Sequence, residues 1–249
     1  MNSRRPRLIS FSGIDGAGKS TQIAALCMRL RAAGQRVLLI TFWDDAARLT
    51  RFRESAGHSL FRGERGVGTP EAPIHRRDKN VRSWAMTVVR LCLYSIDAVS
   101  LRLAVRKARR SGADVVICDR YIYDELANLN LGNPLHRIFV FLATKVVPKP
   151  HPAFLLDADP AAARARKPEY PLEFLHANRN SYLLLSDLAG MTVLDSMPSS
   201  AVERAVWKHA SQGGTPDAAP APSAWQGIEE KNETAPRAHI KAGTRGAIE

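Results

Sequence analysis

The chain has 249 residues, is 45% hydrophobic and carries a formal charge of +12, from 36 Lys and Arg against 24 Asp and Glu. That apolar content supplies a globular core and excludes wholesale disorder, and the length fits one α/β domain or two small ones. No apolar run approaches the roughly 18 residues of a membrane span, and the opening Met1–Arg7 carries charge without a following signal-peptide core.

In chain order, Leu8 to Ser12 reads as a strand, Gly13 to Lys19 as a glycine-rich loop and Ser20 to about Ala33 as a helix. Ile23, Leu26, Cys27 and Leu30 share one side of that helix, and Gly34 ends it. Val37 to Ile40 is apolar throughout, as a strand covered on both faces requires. Residues 42–80 hold Gly63, Gly66, Gly68, Pro70 and Pro73, which break any helix, so a long functional or mobile loop is expected. A helical pattern runs from about Val81 to Arg110 and ends on Arg106, Lys107, Arg109 and Arg110, charges that complement the helix dipole. Val115 to Cys118 is a second buried strand and delivers Asp119-Arg120-Tyr121 at its C-terminal end. Pro134 opens a helix to about Val147, and Ala153 to Leu156 is a strand. Asp159-Pro160 reads as an N-cap and first helical residue. A helix over Leu172–Leu188, a strand over Thr192–Leu194 and a helix over about Ser199–Ala210 complete one domain, residues 1–210. From 211 to 249 the composition turns to Gly, Pro, Ala and scattered charge without periodicity, and a disordered tail is expected.

Cys27, Cys92 and Cys118 are far apart and form no CxxC pair, which argues against zinc and a disulfide framework and fits a cytoplasmic protein. The arginines are scattered rather than massed, and no helix-turn-helix, RRM or zinc-finger pattern accompanies them. Nucleic-acid binding is therefore not the expected main function, and solvated basic faces account for most of the charge.

Gly13-Ile14-Asp15-Gly16-Ala17-Gly18-Lys19-Ser20, followed by Thr21, is a full GxxxxGK[ST] match between a strand and an amphipathic helix. Glycines there let successive backbone N–H groups turn toward phosphate oxygens, and the helix N-terminus adds its dipole. Gly13 to Thr21 is thus the expected ATP-binding segment, with Lys19 reaching the β and γ phosphates and the Ser20 hydroxyl ligating Mg²⁺. Asp119, at a strand end beside such a loop, is the second expected Mg²⁺ ligand. Arg120 is placed to neutralise a transferring phosphoryl group.

Phe11 to Thr21, Val116 to Tyr121, Leu155 to Pro160, and Glu173-Phe174-Leu175 with Tyr182 together resemble the P-loop, DRY strand, pre-lid strand and post-lid helix of thymidylate kinases. The resemblance spans most of residues 7–210, in the right order. It implies a three-layer α/β/α P-loop NTPase fold with a parallel sheet, and a nucleoside monophosphate kinase that converts ATP and dTMP to ADP and dTDP with Mg²⁺. It also implies that Asp15 lies near the acceptor sugar and phosphate. With Gly16 in the loop, it implies that Arg164 and Arg166 supply catalytic charge from the lid. Lys19, Asp15, Arg120, Arg164 and Arg166 are then the catalytic set, and Asp15, Tyr94 and Arg120 face the acceptor.

The acceptor half departs from the family pattern. Ser12 stands where Glu is expected, Phe42-Trp43-Asp44-Asp45 replaces an arginine-bearing segment, and Ala98 falls at the acceptor-phosphate arginine. Arg48, Arg51, Arg53 and Arg90 are the cations that could substitute. Two alternatives stay open: a P-loop kinase of another small acceptor, and a nucleotide-binding regulator without catalysis. Small nucleotides are the expected partners, with no membrane, and a homodimer is compatible.

Overall fold

The computed structural model describes residues 5–42 and 84–211. These lie in the first, Met1–Pro216, of two units into which the chain divides. Most of the 42–80 segment, and the expected tail beyond Ser211, fall outside the described residues.

Five strands form one parallel sheet in the order β2-β3-β1-β4-β5. They are β1 (Arg7–Ser12), β2 (Val37–Thr41), β3 (Val115–Asp119), β4 (Ala153–Leu156) and β5 (Thr192–Leu194). Among the described residues the helices are α1 (Lys19–Ala32), α2 (Trp84–Arg110), α3 (Ile122–Leu126), α4 (Pro134–Val146), α5 (Pro160–Arg166), α6 (Leu172–Ala189) and α7 (Ser199–Ser211). This is the α/β architecture expected from the sequence.

Strand side chains alternate between two cores. Ile9, Phe11, Val115, Ile117, Phe154 and Leu156 meet Ile23, Leu26 and Leu30 of α1 and Val202 and Val206 of α7. Leu8, Val116, Cys118, Ala153 and Leu155 point the other way, into the larger core built with α2, α3, α4 and α6. Because both faces are covered, the central strands read as continuous apolar runs. Caps set several helix ends. Gly34, at φ 74, takes the left-handed turn that stops α1. The Asn133 side chain accepts from Leu135 N, and that of Asp159 from Ala162 N at 2.8 Å, each before a proline at the first helical position. At five residues α3 is too short to show a helical period in the sequence.

Candidate active site at the C-terminal end of the sheet

All five strands run parallel, so their C-terminal ends open on one side of the sheet, where ligands bind in such folds. β1 leads there into the glycine loop. Gly13, Gly16 and Gly18 have φ of 142, 84 and 84, backbone that an L side chain resists. Space forbids a side chain as well. A Cβ at Gly13 would stand 2.5 Å from the Leu156 carbonyl oxygen, and one at Gly16 2.3 Å from that of Ala163. The α5 backbone therefore rests directly on the loop, with Arg164 the next residue along. Lys19 is buried at the start of α1, and its ammonium donates to the carbonyls of Gly13 and Ile14 at 2.8 and 2.9 Å.

β3 brings Asp119 level with Phe11, and Arg120 N continues the ladder to the Phe11 carbonyl at 3.0 Å. Ser20 and Asp119 line one cleft of about 310 Å³ together with Ile23, Met28, Arg31 and Leu39. A hydroxyl and a carboxylate on one cleft suit Mg²⁺, which takes oxygen donors and leaves most of its positions to phosphate and water. Among the described residues no group of three or more His, Cys, Asp or Glu could hold a metal by itself.

Arg120 is held on two sides. One guanidinium nitrogen bonds Asp15, and Nη1 stands 3.6 Å from Asp124 Oδ1. Lys167, just beyond α5, lies 4.0 Å from Asp15 and 3.2 Å from Glu169. Arg164 is half-buried and its Nε has no hydrogen-bond partner among the described residues, whereas Arg166 is exposed.

No family model matches the chain. Individual proteins do. The chain is 30% identical over 221 residues to a thymidylate kinase of Deinococcus radiodurans, covering 83% of this chain and 97% of that protein. A thymidylate kinase of Solidesulfovibrio magneticus is 28% identical over 223 residues, 80% of this chain and 96% of its own length. A probable thymidylate kinase of Archaeoglobus fulgidus is 28% identical over 208 residues, with 81% and 93% coverage. The chain belongs to the thymidylate kinase family.

The electrostatics of this family member centre on one alternating cluster. Burial pushes the Lys19 ammonium down to about 8, and repulsion from Arg120 adds to this, although Asp124, Asp15 and Asp119 oppose it. Burial alone would raise the Asp15 carboxyl. Arg120, Lys19 and Lys167 outweigh that effect and hold it below the usual carboxylate range. At Asp119 burial prevails over the nearby cations and the carboxyl titrates higher than usual. Burial disfavours the charged Arg120 guanidinium, yet Asp124 and Asp15 more than compensate, so it stays cationic. A dianionic or more highly charged ligand would thus meet buried cations beside carboxylates that can take a metal or a hydroxyl.

The structure gathers Gly13, Asp15, Gly16, Ala17, Gly18, Lys19, Ser20, Thr21, Asp119 and Arg120 in two adjoining segments, with Arg164 on the helix packed against them. Tyr94 and Ala98 lie one turn apart on α2 within the larger core, 5% and 1% exposed. Arg90 is half-buried on the same helix. Trp43, Asp44, Asp45, Arg48, Arg51 and Arg53 lie outside the described residues. Sequence reasoning missed Asp124 and Lys167. Asp124 had one available signal, its four-residue spacing from Arg120 across a strand-to-helix turn. Lys167 stands directly beyond the two arginines assigned to the lid.

Proposed function

We propose that this chain transfers the γ-phosphoryl group of ATP to dTMP, giving ADP and dTDP. The observation that carries this is the glycine loop and buried Lys19 set against the Asp15–Arg120 pair. A phosphate-donor cradle and a candidate acceptor contact thus adjoin one another. Phosphoryl transfer needs little covalent help from protein, so positioning and charge supply the catalysis. The loop amides and Lys19 would bind the donor phosphates. Arg120 would meet the charge that spreads over the transferring group, and Asp15 would orient the acceptor hydroxyl and phosphate. Arg164, with Arg166 beyond it on α5, would add charge from the lid side, a reading supported by an Arg164 Nε that has no hydrogen-bond partner among the described residues. Ser20 and Asp119 would hold Mg²⁺, which when bound would neutralise part of the phosphate charge. Tyr94 is the aromatic proposed to face the acceptor base.

The acceptor side is proposed to be divergent, because the helix position expected to bear its arginine is the buried methyl of Ala98. A charge-assisted contact to phosphate contributes roughly 1.5–3 kcal/mol, so its loss without replacement weakens acceptor binding by about tenfold or more. Coupled ADP release across dTMP, dUMP, dGMP and unphosphorylated nucleosides tests the function. dTMP is expected to stimulate most, with a high KM, and absence of stimulation by any monophosphate at millimolar levels would end the proposal.

The partners proposed are free nucleotides rather than nucleic acid, together with a second copy of the chain. Exposed Val89, Cys92, Ile96, Val99 and Leu103 follow at alternating three- and four-residue steps along α2, the spacing at which two helices pack side by side. Sedimentation at micromolar concentration reads the dimer directly. Action in the cytoplasm accords with three cysteines that form no disulfide, and no helix among the described residues is long and apolar enough to cross a membrane.

A further inference from the structure

Asp124 belongs to none of the motifs that carry the functional reading, yet it sits at the junction of three elements. It is buried in α3, and its Oδ2 accepts from Ser12 Oγ at 2.7 Å and from Tyr121 N at 2.9 Å. Its Oδ1 accepts from the Tyr182 hydroxyl at 2.8 Å and faces Arg120 Nη1 at 3.6 Å. Ser12 ends β1 immediately before the glycine loop, and Tyr182 belongs to α6, the next helix after α5. One carboxylate therefore joins the strand feeding the loop, the end of β3 and the helix that follows α5. Buried carboxylates satisfied this fully are rigid, because each lost donor would leave a polar group without water.

The backbone gives a second, independent observation. Arg120 has φ 66 and is the only non-glycine with positive φ among the described residues. Such a conformation is costly for an arginine and persists where the surroundings over-determine it. Here the surroundings are the Phe11 carbonyl that holds Arg120 N, Asp15 on one side of the guanidinium and Asp124 on the other.

We propose that Asp124 is a positioning residue for phosphoryl transfer, acting through Arg120, and that Tyr182 and Ser12 hold Asp124 in place for that task. The proposal rests on the kinase reading above. Its content is that Asp124 touches neither nucleotide, and that its effect on turnover disappears when Arg120 is gone.

The test is a double-mutant cycle on the full chain, with kcat and both KM values measured for wild type, Asp124→Asn, Arg120→Ala and the double variant. Asp124→Asn is expected to lower kcat about 10- to 100-fold, the scale of a misplaced catalytic group, while KM for ATP changes less than about twofold. In the Arg120→Ala background the same substitution is expected to change kcat less than about twofold. Equal loss in both backgrounds, or loss that follows the folded fraction in thermal melts, overturns the proposal. Tyr182→Phe removes one hydroxyl and keeps the ring, so it guards against a folding failure of Asp124→Asn. It should lower kcat roughly three- to tenfold, again only when Arg120 is present; an unchanged kcat in this variant also counts against the proposal. Should wild type phosphorylate no monophosphate, the functional reading falls alone, and the cycle is then read on ATP hydrolysis with the same expectations. Should wild type neither transfer nor hydrolyse, both readings fall.

Discussion

The two ends of the parallel sheet both carry charged side chains and treat them differently. At the N-terminal end, Arg36 offers its backbone N, Nε and Nη2 to the Asp114 carboxylate at 2.8–3.2 Å. Arg7 gives one nitrogen to the Ala210 carbonyl and another to Gln35. Arg36 and Asp114 pair with each other and are open to water, while Arg109 Nε, at the end of the helix leading into β3, has no hydrogen-bond partner among the described residues. At the C-terminal end Lys19 is buried, Arg120 is divided between two carboxylates, and Arg164 Nε has no hydrogen-bond partner among the described residues. Charge that is fully used by its neighbours stabilises at most modestly. Charge that is buried, shared and incompletely used is what a phosphorylated ligand can recruit. Even at the functional end the distinction holds: Arg179 spends two nitrogens on both oxygens of Asp157 at 2.6 Å, a closed pair rather than an open one.

Substitutions at the two ends should therefore separate turnover from stability. The largest effect is expected for Lys19→Ala, with kcat falling about 10²- to 10³-fold or more while the melting temperature stays the same or rises, since a buried cation is removed. Unchanged turnover in a preparation free of other kinases would break the comparison outright.

Gly16→Ala comes next. The added Cβ meets the Ala163 carbonyl at 2.3 Å in a backbone of φ 84, so a stability loss of about 1–3 kcal/mol is expected from strain. Turnover should fall together with it as α5 moves off the loop. Urea titration alongside kcat measures both.

Acid should act more on the functional end. The Asp15 carboxyl is held below its usual range in the folded chain, so it binds fewer protons folded than unfolded. Its stabilisation is complete above about pH 4 and is lost as pH falls through the lower folded value. Asp15→Asn should flatten that part of the acid-unfolding curve followed by circular dichroism; an identical acid slope in the variant would show that the carboxylate contributes nothing there. The smallest effect is expected at the opposite end. Asp114→Asn should leave kcat and the urea midpoint unchanged within error, and a loss of turnover there would show that the two ends are coupled.

Much of this was readable beforehand, for physical reasons. Strands buried on both faces announce themselves as apolar runs, which is why Val37–Ile40, Val115–Cys118 and Ala153–Leu156 stood out. The glycine loop was equally legible, because its backbone conformation and phosphate chemistry demand particular residues at fixed spacing. The polar junction behind it was not. Ser12 and Asp124 are separated by 112 positions, and no local period links a serine ending one strand to an aspartate in the middle of a five-residue helix. Ser12 looked like a loss, since glutamate was expected there. In the fold its hydroxyl meets a carboxylate supplied by another element. Tyr94 illustrates a different limit, because an aromatic at helical spacing has the same sequence signature in a core as beside a ligand, and the structure places it among core residues.

The contact between Gly16 and Ala163 imposes an either–or on this architecture. A chain can carry a long side chain on the phosphate loop, or it can lay the α5 backbone against that loop, but the 2.3 Å left for a Cβ does not admit both. Changing one arrangement for the other is then not a matter of single substitutions. An arginine introduced at position 16 would displace the helix that bears Arg164 and Arg166.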